Sequence, residues 1–283
     1  MAAATRDQRY AFPLCLQIAP PASPGDAGFA ALLDILERLG FHGVEVNLTD
    51  FDRFPPEAWL EPLSRRGLKF TMIATGACAN LKGLSLSSPD PAIREKTLRE
   101  MEKCLSFASR LGAGIICGFI KGPAGLERGA ALGRLRDSLS RLDPLARQYR
   151  TPLLLEATNH YEASLALTLD EAAEIIGVFG NPDFRVLPDT YHMNIEEAAP
   201  LAALTRHAGK CVSVHVSDNN RLFPGLGALD FYRVLATLRA AGFSGTMAIE
   251  GRNRGRLADE IEFSAKHLEG ASSRLAFLEW APG

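Results

Sequence analysis

The chain has 283 residues, 47% of them hydrophobic and 23% charged, with 15 Phe, so it can bury a sizeable core. That composition excludes a disordered, collagen-like or coiled-coil protein, and the length allows one large domain or two small ones. Lys and Arg number 31 against 33 Asp and Glu, a formal charge of −2 that shows no whole-chain footprint for nucleic acid or an anionic membrane, so a small-molecule partner is expected.

Short β-rich runs alternate with longer helix-periodic stretches along the chain, the pattern of a parallel sheet built from βα units. The first predicted strand is PLCLQIA (13 to 19), followed by a helix with Phe29, Leu32, Leu33, Leu36 and Leu39 at 3 and 4 spacing. GVEVNL (43 to 48) and KFTMIA (69 to 74) are the next two strands, and the helix before the fourth places Leu98, Met101, Leu105 and Ala108 on one face. GIICGFI (114 to 120), PLLLEAT (152 to 158), FRVLPD (184 to 189), CVSVHVS (211 to 217) and TMAIE (246 to 250) complete eight strands, each followed by a helix. Gly40, Gly67, Gly112, Gly209 and Gly242 are expected in left-handed conformations just past helix ends, and Pro56 and Pro91 near helix starts. No linker or charge block divides the chain, so residues 1–283 are expected to form a single α/β domain. No G-x-G-x-x-G follows the first strand, which favours a closed (β/α)8 TIM barrel over a doubly wound sheet.

Such a barrel carries its chemistry at the C-terminal ends of its strands. Four metal-capable side chains end four successive strands: Glu156, Asp189, His215 and Glu250, separated by 33, 26 and 35 residues, about one βα unit each. At a common height these residues converge on the barrel mouth. One acidic residue closing an apolar run can simply mark where the strand meets water, but burying four such groups without a cation is costly. Three carboxylates and an imidazole suit Mn²⁺, Mg²⁺ or Co²⁺ better than structural zinc, which recruits thiolates. Glu45, on the second strand, could face the pocket or pair outside it. After Glu250, the stretch GRNRGR puts Arg252, Arg254 and Arg256 on a loop above the mouth, either solvent-facing or poised to grip a phosphate or sugar-acid carboxylate.

The five cysteines, Cys15, Cys78, Cys104, Cys117 and Cys211, are odd in number and include no C-x-x-C, so they read as reduced, buried thiols of a cytoplasmic protein. The N-terminal MAAATRDQRY reads as a leader to the first strand, not a signal peptide. No window approaches the roughly 18 apolar residues of a membrane helix.

Four segments carry a resemblance. They are Glu156-x-x-Asn159-x-x-Glu162; Asp189-Thr190-x-His192-Met193; His215-x-x-Asp218-x-x-Arg221 followed by PGLG and Asp230; and Glu250 closing the last strand. With the eightfold alternation, the chain resembles the sugar isomerase/epimerase superfamily with the xylose isomerase-like TIM barrel, and most of all its ketose 3-epimerases acting on D-tagatose, D-psicose and L-ribulose. The resemblance implies that Glu156, Asp189, His215 and Glu250 bind a divalent metal, Mn²⁺ foremost, with Mg²⁺ or Co²⁺ as alternatives. It implies that Glu156 and Glu250 are also the acid/base pair of a cis-enediolate mechanism. His192 and Arg221 would then hydrogen-bond the substrate hydroxyls beside the carbonyl, and Glu162 would hold the substrate end near the first carbon. The family habit points to a homodimer or homotetramer acting on a small sugar, without nucleic acid or membrane.

Rival readings share the barrel. A metal-dependent dehydratase of a keto-polyol, of the inosose dehydratase type, and a hydroxypyruvate-type aldose–ketose isomerase begin with the same α-proton abstraction. A sugar-binding barrel without activity is a third. A phosphodiesterase of the endonuclease IV branch needs a histidine-rich multi-metal cluster and a basic face, and this chain has six histidines and a balanced charge.

Overall fold

The computed structural model describes residues 9–280. Eight parallel strands form the sheet: β1 (Leu14–Ile18), β2 (Gly43–Val46), β3 (Lys69–Ala74), β4 (Gly114–Cys117), β5 (Leu153–Glu156), β6 (Phe184–Leu187), β7 (Ser213–Val216) and β8 (Thr246–Ile249). Each pairs with its sequence neighbour except at the β6–β7 seam, and β1 closes on β8, so the architecture is the expected (β/α)8 TIM barrel. At the open seam a single parallel bridge joins Asp189 to His215. It is reinforced by Thr190, whose hydroxyl donates to Ser217 O at 2.6 Å and accepts from Ser217 N at 2.9 Å.

Ten helices surround the strands: α1 (Ala27–Arg38), α2 (Pro56–Ser64), α3 (Gly76–Lys82), α4 (Pro91–Leu111), α5 (Arg128–Tyr149), α6 (Leu169–Gly177), α7 (Thr190–Glu196), α8 (Pro200–His207), α9 (Phe231–Ala240) and α10 (Leu257–Trp280). Pro56 and Pro91 open α2 and α4, where a missing N–H costs nothing. Asp26 and Asp90 cap α1 and α4 by accepting backbone N–H groups. Gly40, Gly67, Gly112 and Gly242 take the expected positive φ. Gly209 does not: it lies inside a 3-10 turn over Ala208–Lys210 that prolongs α8, so no left-handed cap is needed there.

Strand alternation sorts the core into two layers. Outward residues such as Leu14, Leu16, Val44 and Val46 pack under the helices, whereas Met72, Ala74, Ile116, Leu154 and Leu187 form a smaller cluster. β3 spans the residues predicted for it, Lys69–Ala74, and the other strands are shorter than the apolar runs that predict them, most clearly at β4, where Phe119–Lys121 turn into a 3-10 helix. All five cysteines are free and buried, as their spacing implied. No helix among the described residues is long and apolar enough to cross a membrane.

Candidate metal centre

Glu156 ends β5 two residues after Leu154, so alternation turns both to the same face. His215 stands two residues after Ser213 on β7 and shares its face; both side chains hydrogen-bond Glu45. Glu250 follows β8 directly, and Asp189 follows β6 after Pro188. One ligand atom from each of Glu156, Asp189, His215 and Glu250 lies within 4.8 Å of all the others. Asp189, Glu156 and His215 are buried and Glu250 nearly so.

The neighbours orient these ligands. Asp189 caps α7, its Oδ1 accepting from Tyr191 N at 2.8 Å, which leaves Oδ2 for the site. His215 Nε2 stands 2.9 Å from Glu45 Oε2, and Ser213 Oγ donates to Glu45 Oε1 at 3.2 Å. A carboxylate on Nε2 fixes the proton there and turns the Nδ1 lone pair toward the other ligands. Glu45 therefore faces the barrel interior, which closes the alternative that the sequence left open. Gly118 lets the β4 loop come close: a Cβ there would sit 2.1 Å from Glu156 Oε2.

The electrostatics describe a cluster that could hold a cation. Burial pulls the His215 imidazolium down, but Glu250, Glu45 and Glu156 outweigh it and hold the group well above the ordinary histidine range; a cation taking Nδ1 would replace that proton and leave the one on Nε2 facing Glu45. Burial likewise raises Glu156, Asp189 and Glu250, and each is brought below its usual value by its neighbours: His215 and His192 at Glu156, Arg221 and the two histidines at Asp189, Arg221 and His215 at Glu250. Three carboxylates, each lowered below its usual value, thus share one site. His215 Nδ1 and Glu250 Oε2 are 2.6 Å apart, yet neither makes an aligned hydrogen bond. Two orphaned buried donor atoms facing the same point, in an oxygen-rich set, fit a hard divalent cation.

Arg221 bridges the cluster, pairing with Asp189 Oδ2 and, at 2.8 Å, with Glu250 Oε1. It is not paired to Asp218, whose carboxylate instead accepts the backbone N–H groups of Gly225, Gly227 and Leu229. Arg221 takes a positive φ of 63°, a conformation that non-glycine residues adopt rarely and mostly at functional positions. Arg252 N holds it there by donating to Arg221 O at 2.7 Å.

His192 is buried, and its Nδ1 accepts from both Asn159 N and Asn159 Nδ2, which places the ring proton on Nε2. That nitrogen lies 4.0 Å from Glu156 Oε1 and 3.9 Å from Asp189 Oδ2. A cavity of about 70 Å³ over the cluster is lined by Glu156, Glu162, His192, Arg221 and Glu250, and also by Gln17, Asn47, Thr75 and Thr158. Two larger clefts, of about 420 and 690 Å³, lie among α7, α8 and α9 and beside α4, and neither holds this cluster. The side chains of Arg252 and Arg254 are exposed above the mouth and do not line the cavity; Arg256 pairs loosely with Asp259. Sequence reasoning missed Thr158, Asn47 and the buried Lys121 behind Thr158; a lysine ending the apolar run GIICGFI was the available signal.

Fold and site together define an eightfold barrel with a four-residue, metal-capable mouth. Residues 33–271 match the family described as "Xylose isomerase-like TIM barrel", and the chain belongs to that family. It is 28% identical over 169 residues to an L-ribulose 3-epimerase of Mesorhizobium japonicum, covering 58% of this chain and 57% of that one. It is 36% identical over 118 residues to the 3-dehydro-D-guloside 4-epimerase of Escherichia coli, covering 42% and 45%. The matched segments thus span about half the length of these two relatives. The crystal structure of E. coli 3-keto-D-glucoside 4-epimerase superposes with a TM-score of 0.79 at 22% identity, covering 93% of this chain and 99% of that one, a likeness of fold.

Proposed function

We propose that this chain is a divalent-metal-dependent sugar epimerase that inverts a carbon beside the carbonyl of a ketose or related keto-sugar. The observation that carries this reading is the convergence of Glu156, Asp189, His215 and Glu250 within 4.8 Å at the strand ends of a barrel. The epimerase names of relatives support the reaction class, and the donor set supports Mn²⁺, Mg²⁺ or Co²⁺ as the metal.

Glu156, Asp189, His215 and Glu250 would hold the metal, which when bound supplies positive charge where an enediolate develops. Glu156 comes from β5 and Glu250 from β8, three strands away around the barrel, so their carboxylates reach the cavity from different sides. One takes the α-proton from one face of the substrate, and the other returns a proton to the opposite face. His192 offers its Nε2–H, and Arg221 its guanidinium, to substrate oxygens; Glu162 receives a terminal hydroxyl. Fixed donors around a buried reacting centre stabilise developing oxyanion charge without reorganisation.

The test is incubation of Mn²⁺-loaded protein with L-ribulose, D-psicose, D-tagatose and keto-glycosides in D₂O. Epimerisation with deuterium at the inverted carbon is expected, abolished by chelation and restored by Mn²⁺. Water loss with formation of a dehydrated product would replace the epimerase reading by a dehydratase, and turnover by metal-free protein would refute the metal centre.

A further inference from the structure

Behind the cavity wall lies a buried lysine that the proposed reaction does not use. Lys121 ends the 3-10 turn after β4 and its side chain is wholly shielded from water. Its ammonium donates to Thr158 Oγ1 at 2.6 Å and to Gly118 O at 3.3 Å. No carboxylate lies within ion-pair distance of it among the described residues. Burying an ammonium without a counter-ion is expensive and is retained where the charge does a task.

Thr158 shows what that task is. It stands two residues beyond Glu156 and lines the same cavity. An ammonium has hydrogens to give and no lone pair to offer, so Thr158 Oγ1 must be the acceptor in their contact. The hydroxyl's own hydrogen is then free to point elsewhere, and Thr158 Oγ1 has no other hydrogen-bond partner among the described residues. Thr158 is thereby left with one hydrogen to donate, polarised by the charge behind it, on a residue that lines the cavity.

We propose that Lys121 and Thr158 form a relay that donates one hydrogen bond to an acceptor oxygen of the bound substrate, with Thr158 as the contact and Lys121 as its positioning residue. This rests on the epimerase reading of the same site and adds a specificity contact to it. A substrate oxygen that only accepts, such as a carbonyl, or one carrying negative charge is favoured at that position.

The relay needs the ammonium. Burial lowers Lys121 to about 8, against a smaller raising effect of Glu156. The titratable groups facing it are Cys117 on β4, Glu156 on β5, Glu162 on the following loop and Glu171 on α6. Above that pH the neutral amine can accept the Thr158 hydrogen, and the donor turns away from the cavity.

The experiment compares Mn²⁺-loaded wild type, Thr158→Val, Lys121→Met and the double variant on the ketose that wild type exchanges best in D₂O. Each single variant should raise KM about ten- to a hundredfold, as for a lost charge-assisted hydrogen bond. The double variant should be no worse than either single one. Wild-type KM should climb above pH 8 and variant KM should not. A KM unchanged in both single variants, or additive losses in the double, overturns the relay. Where wild type exchanges no ketose, the epimerase reading fails by itself. The NMR signal of ¹³Cε-labelled Lys121 then decides: it must shift in Thr158→Val, and an unmoved signal overturns the relay.

Discussion

Glu45 and His215 meet across the barrel interior at 2.9 Å although 170 residues separate them, and this contact turns the other nitrogen of His215 toward Glu156, Asp189 and Glu250. β2 supplies the carboxylate and β7 the imidazole, so the fold itself sets the tautomer. Glu45→Ala should therefore weaken Mn²⁺ binding about 10- to 100-fold, the usual range for losing such a partner. Calorimetry on the folded variant measures it directly, and an unchanged Kd would remove Glu45 from the site.

Arg221 stands between Asp189 and Glu250, so removing it takes an ion-pair partner from both carboxylates. Breaking a buried ion pair typically costs about 3 to 5 kcal/mol. Arg221→Met should lower the melting temperature of chelated protein, and saturating Mn²⁺ should recover much of the loss by replacing the missing charge. Arg221→Lys should rescue little, since one ammonium does not reproduce a planar fork across two carboxylates. Differential scanning fluorimetry with and without Mn²⁺ reads both expectations; equal losses in the two conditions would separate Arg221 from the metal centre.

The cluster was legible in the sequence because Glu156, Asp189 and Glu250 end apolar runs, where a strand emerges at the mouth. Eight strands were legible for the same reason. Their ends were not, since Gly118 and Thr158 leave the ladder to build the cavity wall while still reading as apolar continuations. Glu45 stayed undecided because alternation fixes its face only once β2 is known to neighbour β1 and β3 in a closed barrel. Lys121 and Thr158 meet only through the adjacency of β4 and β5, which local patterning does not carry.

Lys121 should weaken the fold as well as serve the site. Burial lowers folded Lys121 to about 8 from its ordinary 10.5, so between those values the unfolded chain holds more protons. Stability from this group accordingly rises as pH climbs from 8 to 10.5, and the whole cost is present below 8. Lys121→Met should thus be more stable than wild type at pH 7, by up to about 3 kcal/mol, with the advantage shrinking toward pH 10. Urea unfolding at both pH values measures it, and a variant destabilised at pH 7 would contradict the cost assigned to the buried charge.

Glu156 and Glu250 separate most sharply when each loses only its ability to move a proton. Replacement by Gln preserves shape and one ligand oxygen, and losing general acid–base catalysis typically costs 10²- to 10⁴-fold. Epimerisation in both directions should therefore fail in Glu156→Gln and in Glu250→Gln, because each direction needs one group to abstract and the other to return. In the proposed mechanism the surviving carboxylate still faces one side of the substrate and can exchange the α-proton there with solvent. In D₂O the two variants should consequently label opposite epimers without interconverting them. A single mobile base predicts something else, the loss of exchange on both faces in one variant and on neither in the other. Mass spectrometry and NMR of the recovered sugars, with metal content matched to wild type, distinguish the two. Normal epimerisation by either variant would remove that glutamate from proton transfer.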